Sequence, residues 1–370
     1  MSQQQVEIII LACLVALTCA LPGVFLVLRR VSLMSDAISH AILLGIVLAF
    51  FYTKQLASPL LVVGATLIGV MTVSLTELLI QTQKVKKDTA IGLVFPFLFS
   101  IGVILINKYA TGVHIDSDCI LFGEIAFAPF NRWIIGDMDM GPVGYWMMGT
   151  VLLLNLIFIL IFYKELKLAT FDPALAAALG FYPAVLHYAL MTLVSVTAVG
   201  AFEHVGSILV VALMIAPPAA AYLLTERLSH MLILSGAIGI AVAISGYYVA
   251  YGLDASIAGS MALMCGVVFF LVFMFAPERG WLATTFFRRW SRWDFAQETL
   301  AVHLLQAELS HADDTEQVVS HMTNHMLWKE DFAVEVIAQS LQNGLIVKEG
   351  HRLSLTDYGR EKAKVSLLKS

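Results

Sequence analysis

Nine stretches of mostly apolar residues follow one another through the first three quarters of the chain, and they limit its fold more than any other feature. A helix that spans a bilayer needs about 20 such residues. A further stretch, 119–130, is shorter and suits a re-entrant or interfacial segment. We predict an all-α polytopic membrane protein with nine transmembrane helices, or eight if one stretch is only re-entrant. The nine stretches are 6–28, 33–52, 58–80, 90–106, 142–162, 183–201, 205–224, 229–250 and 257–276.

The charge content supports this interpretation and separates a polar tail from an apolar body. Charged residues make up 13% of the 370 residues, whereas soluble domains carry about 25%. From Asp294 onward, 12 acidic residues stand against 7 basic ones, and the rest of the chain is electrically balanced. We predict a transmembrane domain over 1–287 and a small cytoplasmic domain over 294–370.

The positions of the basic residues orient the chain. Lys and Arg concentrate in the cytoplasmic loops of membrane proteins. Segment 107–141 carries five acidic residues and two basic ones, which suits the opposite side. Placing every basic cluster inside puts the N-terminus outside and the C-terminal domain in the cytoplasm. The basic clusters are Arg29–Arg30, Lys84–Lys87, Lys164–Lys167, Arg227 and Arg279–Arg292.

A polar stripe opens the second apolar stretch. Its residues recur at the spacing of one helical face, and two of them, Asp36 and His40, are four residues apart and therefore overlie each other. Carboxylate and imidazole suit Mn, Fe or Zn, and ionisable groups within a span are functional candidates. The stripe predicts a metal pathway; the alternative is a buried Asp–His pair that joins two helices. The stripe consists of Ser32, Ser35, Asp36, Ser39 and His40.

Two further features of the apolar body are candidates for the same pathway. Glu203 and His204 lie between two apolar stretches and suit an outer gate or a second metal-binding site, or else a solvated pair at the membrane surface. Pro217 and Pro218 interrupt the stretch that follows. Broken helices often border a transport path, although an ordinary kink is the alternative.

A short helix is predicted on the cytoplasmic side between the fifth and sixth stretches. Asp172 suits the N-cap, Pro173 the first helical position, and Gly180 the end. Such a helix offers a docking site for an energy-supplying subunit; the alternative is an amphipathic connector. The residues of this candidate coupling segment are Phe171, Asp172, Pro173, Ala174, Leu175, Ala178, Leu179 and Gly180.

Motifs of ATP-binding and hydrolytic enzymes are missing from the sequence. It contains no G-x-x-x-x-G-K-[ST] phosphate loop, no H-E-x-x-H and no G-x-S-x-G. We therefore expect a transport subunit with no bond-making chemistry of its own, driven by ATP hydrolysis on a separate subunit.

The tail has the pattern of a winged helix. Helices are predicted at about 295–309, 315–327 and 331–342, followed by two short strands around Gly350. His321 and His325 are spaced to bind a metal, or are two surface histidines. The third helix lacks the basic residues that neutralise phosphates, which argues against DNA binding.

Three stretches of the body resemble the membrane permeases of ATP-binding-cassette importers for zinc, manganese and iron. They are Gly23–Ala41, Ile208–Arg227, and Leu253–Ser260 continuing to Phe275–Gly280. The resemblance covers about 6–280, and Asp172–Gly180 resembles the family's ATPase-contacting helix. It implies that Asp36 and His40 contact a transported Mn, Zn or Fe ion, with no permanently bound cofactor. Where the family often has Leu-Pro-Gly, this chain has Leu43-Leu44-Gly45.

The same resemblance implies a set of partners in the bacterial inner (plasma) membrane. They are cytoplasmic ATPase subunits, a second permease copy or a related permease, an extracytoplasmic metal-binding protein, and membrane lipid. Segment 344–360 resembles the wing of metal-dependent repressors of the diphtheria-toxin-repressor type. An alternative function follows from that second resemblance: a metal-responsive membrane regulator whose tail controls transport or transcription.

Overall fold

The computed structural model describes residues 2–54, 59–109, 125–135, 138–277, 279–309, 328, 330–349 and 352–369. The chain divides into two compact units, Met1–Gly280 and Trp281–Ser370.

The first unit consists of helices, eight of which, within the described residues, are long and apolar enough to cross a membrane. The predicted helical membrane body is thereby confirmed. The helices are α1 (Gln3–Leu28), α2 (Leu33–Thr53), α3 (Pro59–Gln81), α4 (Lys87–Tyr109), α5 (Val143–Ile161), α6 (Tyr163–Phe171), α7 (Pro173–Ala178), α8 (Pro183–Leu224), α9 (Leu228–Leu253) and α10 (Ile257–Phe275). The two short ones are α6 and α7.

Helix α1 forms the centre of the first unit. From Leu11 to Leu26 most of its side chains are buried, on all sides of the helix. A helix that is apolar all round is buried in a large core or a membrane, and α1 packs against α5, α8 and α9. Cys19 and Cys265 are buried in the same core, as small apolar residues.

Helix α8 folds back on itself at Gly206, whose φ of 79° and ψ of 165° are not helical. Near its start, His187 contacts Arg29 at the end of α1. His204 lies beside Gly144, which also meets Leu11 of α1. Met214, ten residues after His204, lies against Gly23. Gly23 is about 18 Å from Leu11 along α1 at 1.5 Å per residue, so the chain has reversed its direction. The predicted stretches 183–201 and 205–224 therefore correspond to two antiparallel helical arms that meet at Gly206.

Helices α2, α3 and α4 form a tightly packed group beside α8. A Cβ on Gly45 would lie 2.4 Å from the carbonyl oxygen of Gly64, so the backbones of α2 and α3 are in direct contact. Helix α2 is continuous from Leu33 to Thr53. The absence of the family's proline before Gly45 thus leaves an unbroken helix at that point.

The segment before α5 contains a short 3₁₀ helix and a β-hairpin. The 3₁₀ helix is Ile125–Phe130, and strands β1 (Arg132–Ile135) and β2 (Met138–Pro142) pair antiparallel with Ile135 opposite Met138. The predicted re-entrant stretch 119–130 is thus a six-residue 3₁₀ helix over its described part; 119–124 lie outside the described residues. The hairpin was not predicted.

The second unit combines three described helices with one hairpin. They are α11 (Trp281–Leu309), α12 (Glu330–Gln342), β3 (Ile346–Glu349), β4 (Arg352–Leu355) and α13 (Asp357–Lys369). The strands pair antiparallel, with Ile346 opposite Leu355. Leu300 and Leu304 pack with Val336 and Leu353 to form a small core. The predicted helix 315–327, with His321 and His325, lies outside the described residues.

Two elements of the second unit differ from the sequence prediction. Helix α11 begins at Trp281 instead of about 295. Helix α13 was not predicted, although Thr356 is a recognisable cap: its hydroxyl accepts a hydrogen bond from the Gly359 amide at 2.9 Å. The hydroxyl also donates to the Gly344 carbonyl, which fixes the start of α13 to the end of α12.

Candidate functional site

Asp36 and His40 lie side by side in the first two turns of α2. Asp36 Oδ1 is 3.4 Å from His40 Nε2, and the side chains are 39% and 31% exposed in the single chain. The imidazole stacks on Phe95 of α4 at 5.8 Å and meets the edge of Phe99 at 6.0 Å. The two aromatic rings hold His40 beside Asp36, while both polar groups stay accessible.

The serines of the predicted stripe point in a different direction. Ser35 and Ser39 are buried, and their hydroxyls donate to the carbonyls of Ser32 and Ser35, at 3.0 and 2.9 Å. The predicted stripe therefore has two parts. Ser35 and Ser39 pack inside the chain, whereas Asp36 and His40 form an accessible carboxylate–imidazole pair.

This pair supplies two donors and no more. Among the described residues, no three of His, Cys, Asp and Glu are placed to hold a metal ion together. Zinc is usually held by four ligands, so a zinc ion at this pair would need two further donors. Any further donors come from water, from the ion's carrier or from another chain.

Glu203 and His204 lie near the far end of α1 from this pair. They sit in α8 just before Gly206, and a Cβ on Gly144 would lie 3.2 Å from Cε1 of His204. Glu203 is exposed, whereas His204 Nε2 is buried and has no hydrogen-bond partner within the described part of the chain. The structure does not bring this pair together with Asp36 and His40, and its role as a gate or ligand stays a prediction.

Pro217 and Pro218 are buried in the second arm of α8. A Cβ on Gly23 would lie 2.9 Å from Cγ of Pro218, so the proline pair packs against α1. Their predicted place along the pathway stays a prediction.

The candidate coupling segment folds as the sequence predicts. Helix α7 begins at Pro173, Asp172 accepts a hydrogen bond from the Leu175 amide at 2.9 Å, and Gly180 adopts a φ of +86° just beyond the helix. Phe171, Leu175 and Leu179 expose 59%, 46% and 61% of their surface. These three residues form an exposed apolar patch, which we call the α7 patch. Leu175 lies within α7, and Phe171 and Leu179 lie just before and just after it.

A half-buried polar cluster next to this segment was not found from the sequence. Arg29 Nε donates to the hydroxyl of Thr170 at 3.2 Å, and Nη1 donates to His187 Nδ1 at 3.1 Å. His187 Nε2 lies 4.0 Å from a carboxylate oxygen of Glu77. Burial lowers the pKa of Arg29 to about 10. The sequence shows Arg29 only as part of a basic loop.

The comparisons with known proteins agree with this architecture. The family model described as the ABC 3 transport family matches residues 1–276. The chain belongs to the ABC 3 transport family. Its prediction as the membrane permease of an ABC importer for divalent metals is confirmed, because relatives named as zinc and manganese transport proteins match it at 45% and 48% identity.

Relatives of two lengths occur in the ABC 3 family. The zinc transport system membrane protein TroD of Treponema pallidum is 45% identical over 361 residues, 98% of each chain. The manganese transport system membrane protein MntD of Bacillus subtilis is 48% identical over 267 residues, which cover 72% of this chain and 90% of MntD. The second unit is therefore within the part shared with TroD.

A solved structure of the same family supports the fold. A chain of PsaBC from Streptococcus pneumoniae, solved in complex with a Fab, is 31% identical with a TM-score of 0.63, over 77% of this chain and 96% of that chain. The ABC 3 permease fold thus applies to the first unit, and the protein is a multi-pass membrane transport component.

Proposed function

We propose that this permease carries a Mn, Zn or Fe ion inward along a path in which Asp36 and His40 contact the ion. The observation that supports the proposal best is the partial exposure of both side chains within a helix long enough to span the membrane. An ionisable side chain facing lipid is costly, so this face of α2 meets protein or water in the working transporter.

A second permease supplies the missing donors. Two copies, or this chain and a related permease, place two Asp–His pairs opposite each other and offer two carboxylates and two imidazoles. Such a mixed oxygen and nitrogen set accepts Mn, Fe and Zn. Opening of the interface weakens the site, because an ion that keeps all four ligands would not leave.

ATP hydrolysis takes place on a separate cytoplasmic subunit that docks on the α7 patch. The exposed apolar side chains of Phe171, Leu175 and Leu179 suit a protein contact. An extracytoplasmic metal-binding protein delivers the ion to the opposite face. This arrangement places the chain in the bacterial plasma membrane with its N-terminus outside.

The test is metal uptake by cells or proteoliposomes that contain the complete transporter. Asp36→Ala and His40→Ala are expected to abolish uptake of Mn²⁺ and Zn²⁺ while the complex still assembles. Asp254→Asn and His230→Gln are matched controls, since both residues are exposed and lie at the ends of α9 rather than in α2 or α4. Normal uptake by both site variants would show that the pair is structural.

A second candidate function is metal-dependent control by the C-terminal unit. It is favoured by the match to TroD, which includes this unit, and by a two-stranded hairpin between helices that suits a winged helix. Removal of 281–370 is expected to leave uptake intact but insensitive to cytoplasmic metal. Uptake that still falls when internal metal rises would exclude a sensor in this unit.

A further inference from the structure

A chain of polar contacts joins four helices where α1 ends. It runs from Glu77 of α3 to His187 of α8, then to Arg29 and to Thr170 of α6. We name these four residues the Arg29 relay. Because a guanidinium only donates, His187 Nδ1 must accept, and the ring proton lies on Nε2, facing Glu77. His187 Nε2 itself has no hydrogen-bond partner within the described residues and faces Glu77 at 4.0 Å.

The Arg29 relay contributes little to the stability of the fold. Within the described residues, no carboxylate oxygen lies within salt-bridge distance of Arg29, and its Nη2 is buried without a hydrogen-bond partner. A buried charge without a paired counter-charge costs free energy, and apolar residues of similar size often stabilise such positions better. The Arg29 charge at this position therefore calls for a role besides stability.

One end of the relay holds the coupling segment. Thr170 is the last residue but one of α6, and Asp172, two residues later, caps α7. A displacement of α7 therefore moves the Thr170 hydroxyl, which contacts Arg29 at 3.2 Å.

The other end holds the start of α2. Residues 29–32 form a tight turn in which the Val31 amide donates to the Leu26 carbonyl at 3.0 Å and Arg30 takes a left-handed φ of 56°. Asp36 follows within the first turn of α2. A turn this short transmits a displacement of Arg29 to the beginning of α2 with little loss.

We infer that Arg29 is a positioning residue that couples the movement of α6 and α7 to the Asp36–His40 pair. The inference rests on the proposed function, since it takes α7 as the ATPase contact and the pair as the ion site. Thr170 provides the link to the ATPase side, and His187 carries the same movement to α8.

The test measures metal imported per ATP hydrolysed by the complete transporter in proteoliposomes, with Mn²⁺ and Zn²⁺ as probes. Thr170→Val removes the hydroxyl at nearly constant volume, and Thr170→Ser keeps it. Arg29→Gln removes the charge inside the relay, and Arg30→Gln removes the neighbouring exposed charge. We expect Thr170→Val and Arg29→Gln to lower the ratio about tenfold, the effect of one hydrogen bond to a charged group. Thr170→Ser and Arg30→Gln should keep the wild-type ratio.

Five outcomes separate the possibilities. ATP hydrolysis that continues while import falls supports coupling through Arg29. An unchanged ratio in Thr170→Val and Arg29→Gln overturns the inference, and so does a loss explained fully by less assembled complex. If Asp36→Ala abolishes import while Arg29→Gln keeps the normal ratio of metal imported to ATP hydrolysed, the proposed function stands and the coupling role of Arg29 is excluded. A wild-type transporter that imports neither Mn²⁺ nor Zn²⁺ would exclude both the proposed function and the coupling role of Arg29.

Discussion

Gly23 of α1 and Met214 of α8 are in direct backbone contact. A Cβ on Gly23 would lie 2.2 Å from the carbonyl oxygen of Met214, far inside van der Waals distance. This oxygen belongs to the residue four positions before Pro218, so no i+4 amide occupies it. The contact therefore combines a helix break on one side with the smallest residue on the other.

Gly23→Ala should destabilise the first unit by about 1–3 kcal/mol, because two backbones must separate to admit a methyl group. Thermal unfolding in detergent measures the effect. Gly149→Ala is the matched control: a Cβ there meets nothing within 4 Å, and alanine should stabilise that helix by about 0.5–1 kcal/mol. Equal melting temperatures for the two variants would contradict the close approach of α1 and α8.

Asn155 joins three helices through its buried amide. Its Nδ2 donates to the Thr18 carbonyl at 3.1 Å and to the Thr197 hydroxyl at 3.0 Å. We expect Asn155→Leu and Thr197→Val each to lower stability by about 0.6–2 kcal/mol, the range of polar contacts between membrane helices. The double variant should cost less than the sum, because both changes remove one shared contact. Additive losses would show that the two side chains act independently.

Much of the fold follows from local chemistry that the sequence displays. Apolar length predicts the spans, and the order Asp172, Pro173 and Gly180 predicts the limits of α7, because caps depend on neighbours in sequence. Two elements that were not predicted, the β1–β2 hairpin and helix α13, have recognisable sequence signals. Gly136-Asp137 between β-prone residues is a hairpin signal, and Thr356 followed by Asp357 is a helix start.

The candidate site was harder to predict because it depends on contacts between distant segments. Helical periodicity places Ser35 and Asp36 on one stripe, yet packing buries the serine and leaves the carboxylate accessible. Arg29 and Arg30 look alike as a basic pair, yet only Arg29 points into the chain. The fold-back at Gly206 also depends on packing, since α1 contacts both arms.

Asp139 gives the β1–β2 hairpin a pH dependence. The Gly141 amide and Arg132 hold the pKa of the Asp139 carboxyl below its usual range, and the carboxylate raises the pKa of Arg132. The carboxyl group has a lower pKa in the folded chain. Its stabilisation is therefore fully present above the unfolded pKa of about 4 and disappears as the pH falls through the folded value.

Hydrogen exchange of the 138–141 amides tests this dependence. Asp139→Asn should speed exchange, relative to wild type, at pH 7, and the difference should vanish in strong acid. Arg132→Lys is the milder variant, because lysine keeps the charge but cannot contact Asp139 and Glu7 with a planar fork. A difference between Asp139→Asn and wild type that grows on acidification would contradict the assignment.

The α7 patch can be tested through assembly with the ATPase subunit, without any measurement of metal transport. Leu175→Glu places a charge in the middle of the proposed ATPase contact, and burial of an unpaired carboxylate is costly. We expect at least about tenfold less ATPase to co-purify with this variant, whereas Lys84→Glu, an exposed change in another predicted cytoplasmic loop, should have little effect. The helix itself should stay folded, since Asp172 still caps it and Leu175 is half exposed. Full recovery of the ATPase with Leu175→Glu would place the docking surface elsewhere, and Arg29 would then lose the moving element that it is proposed to follow.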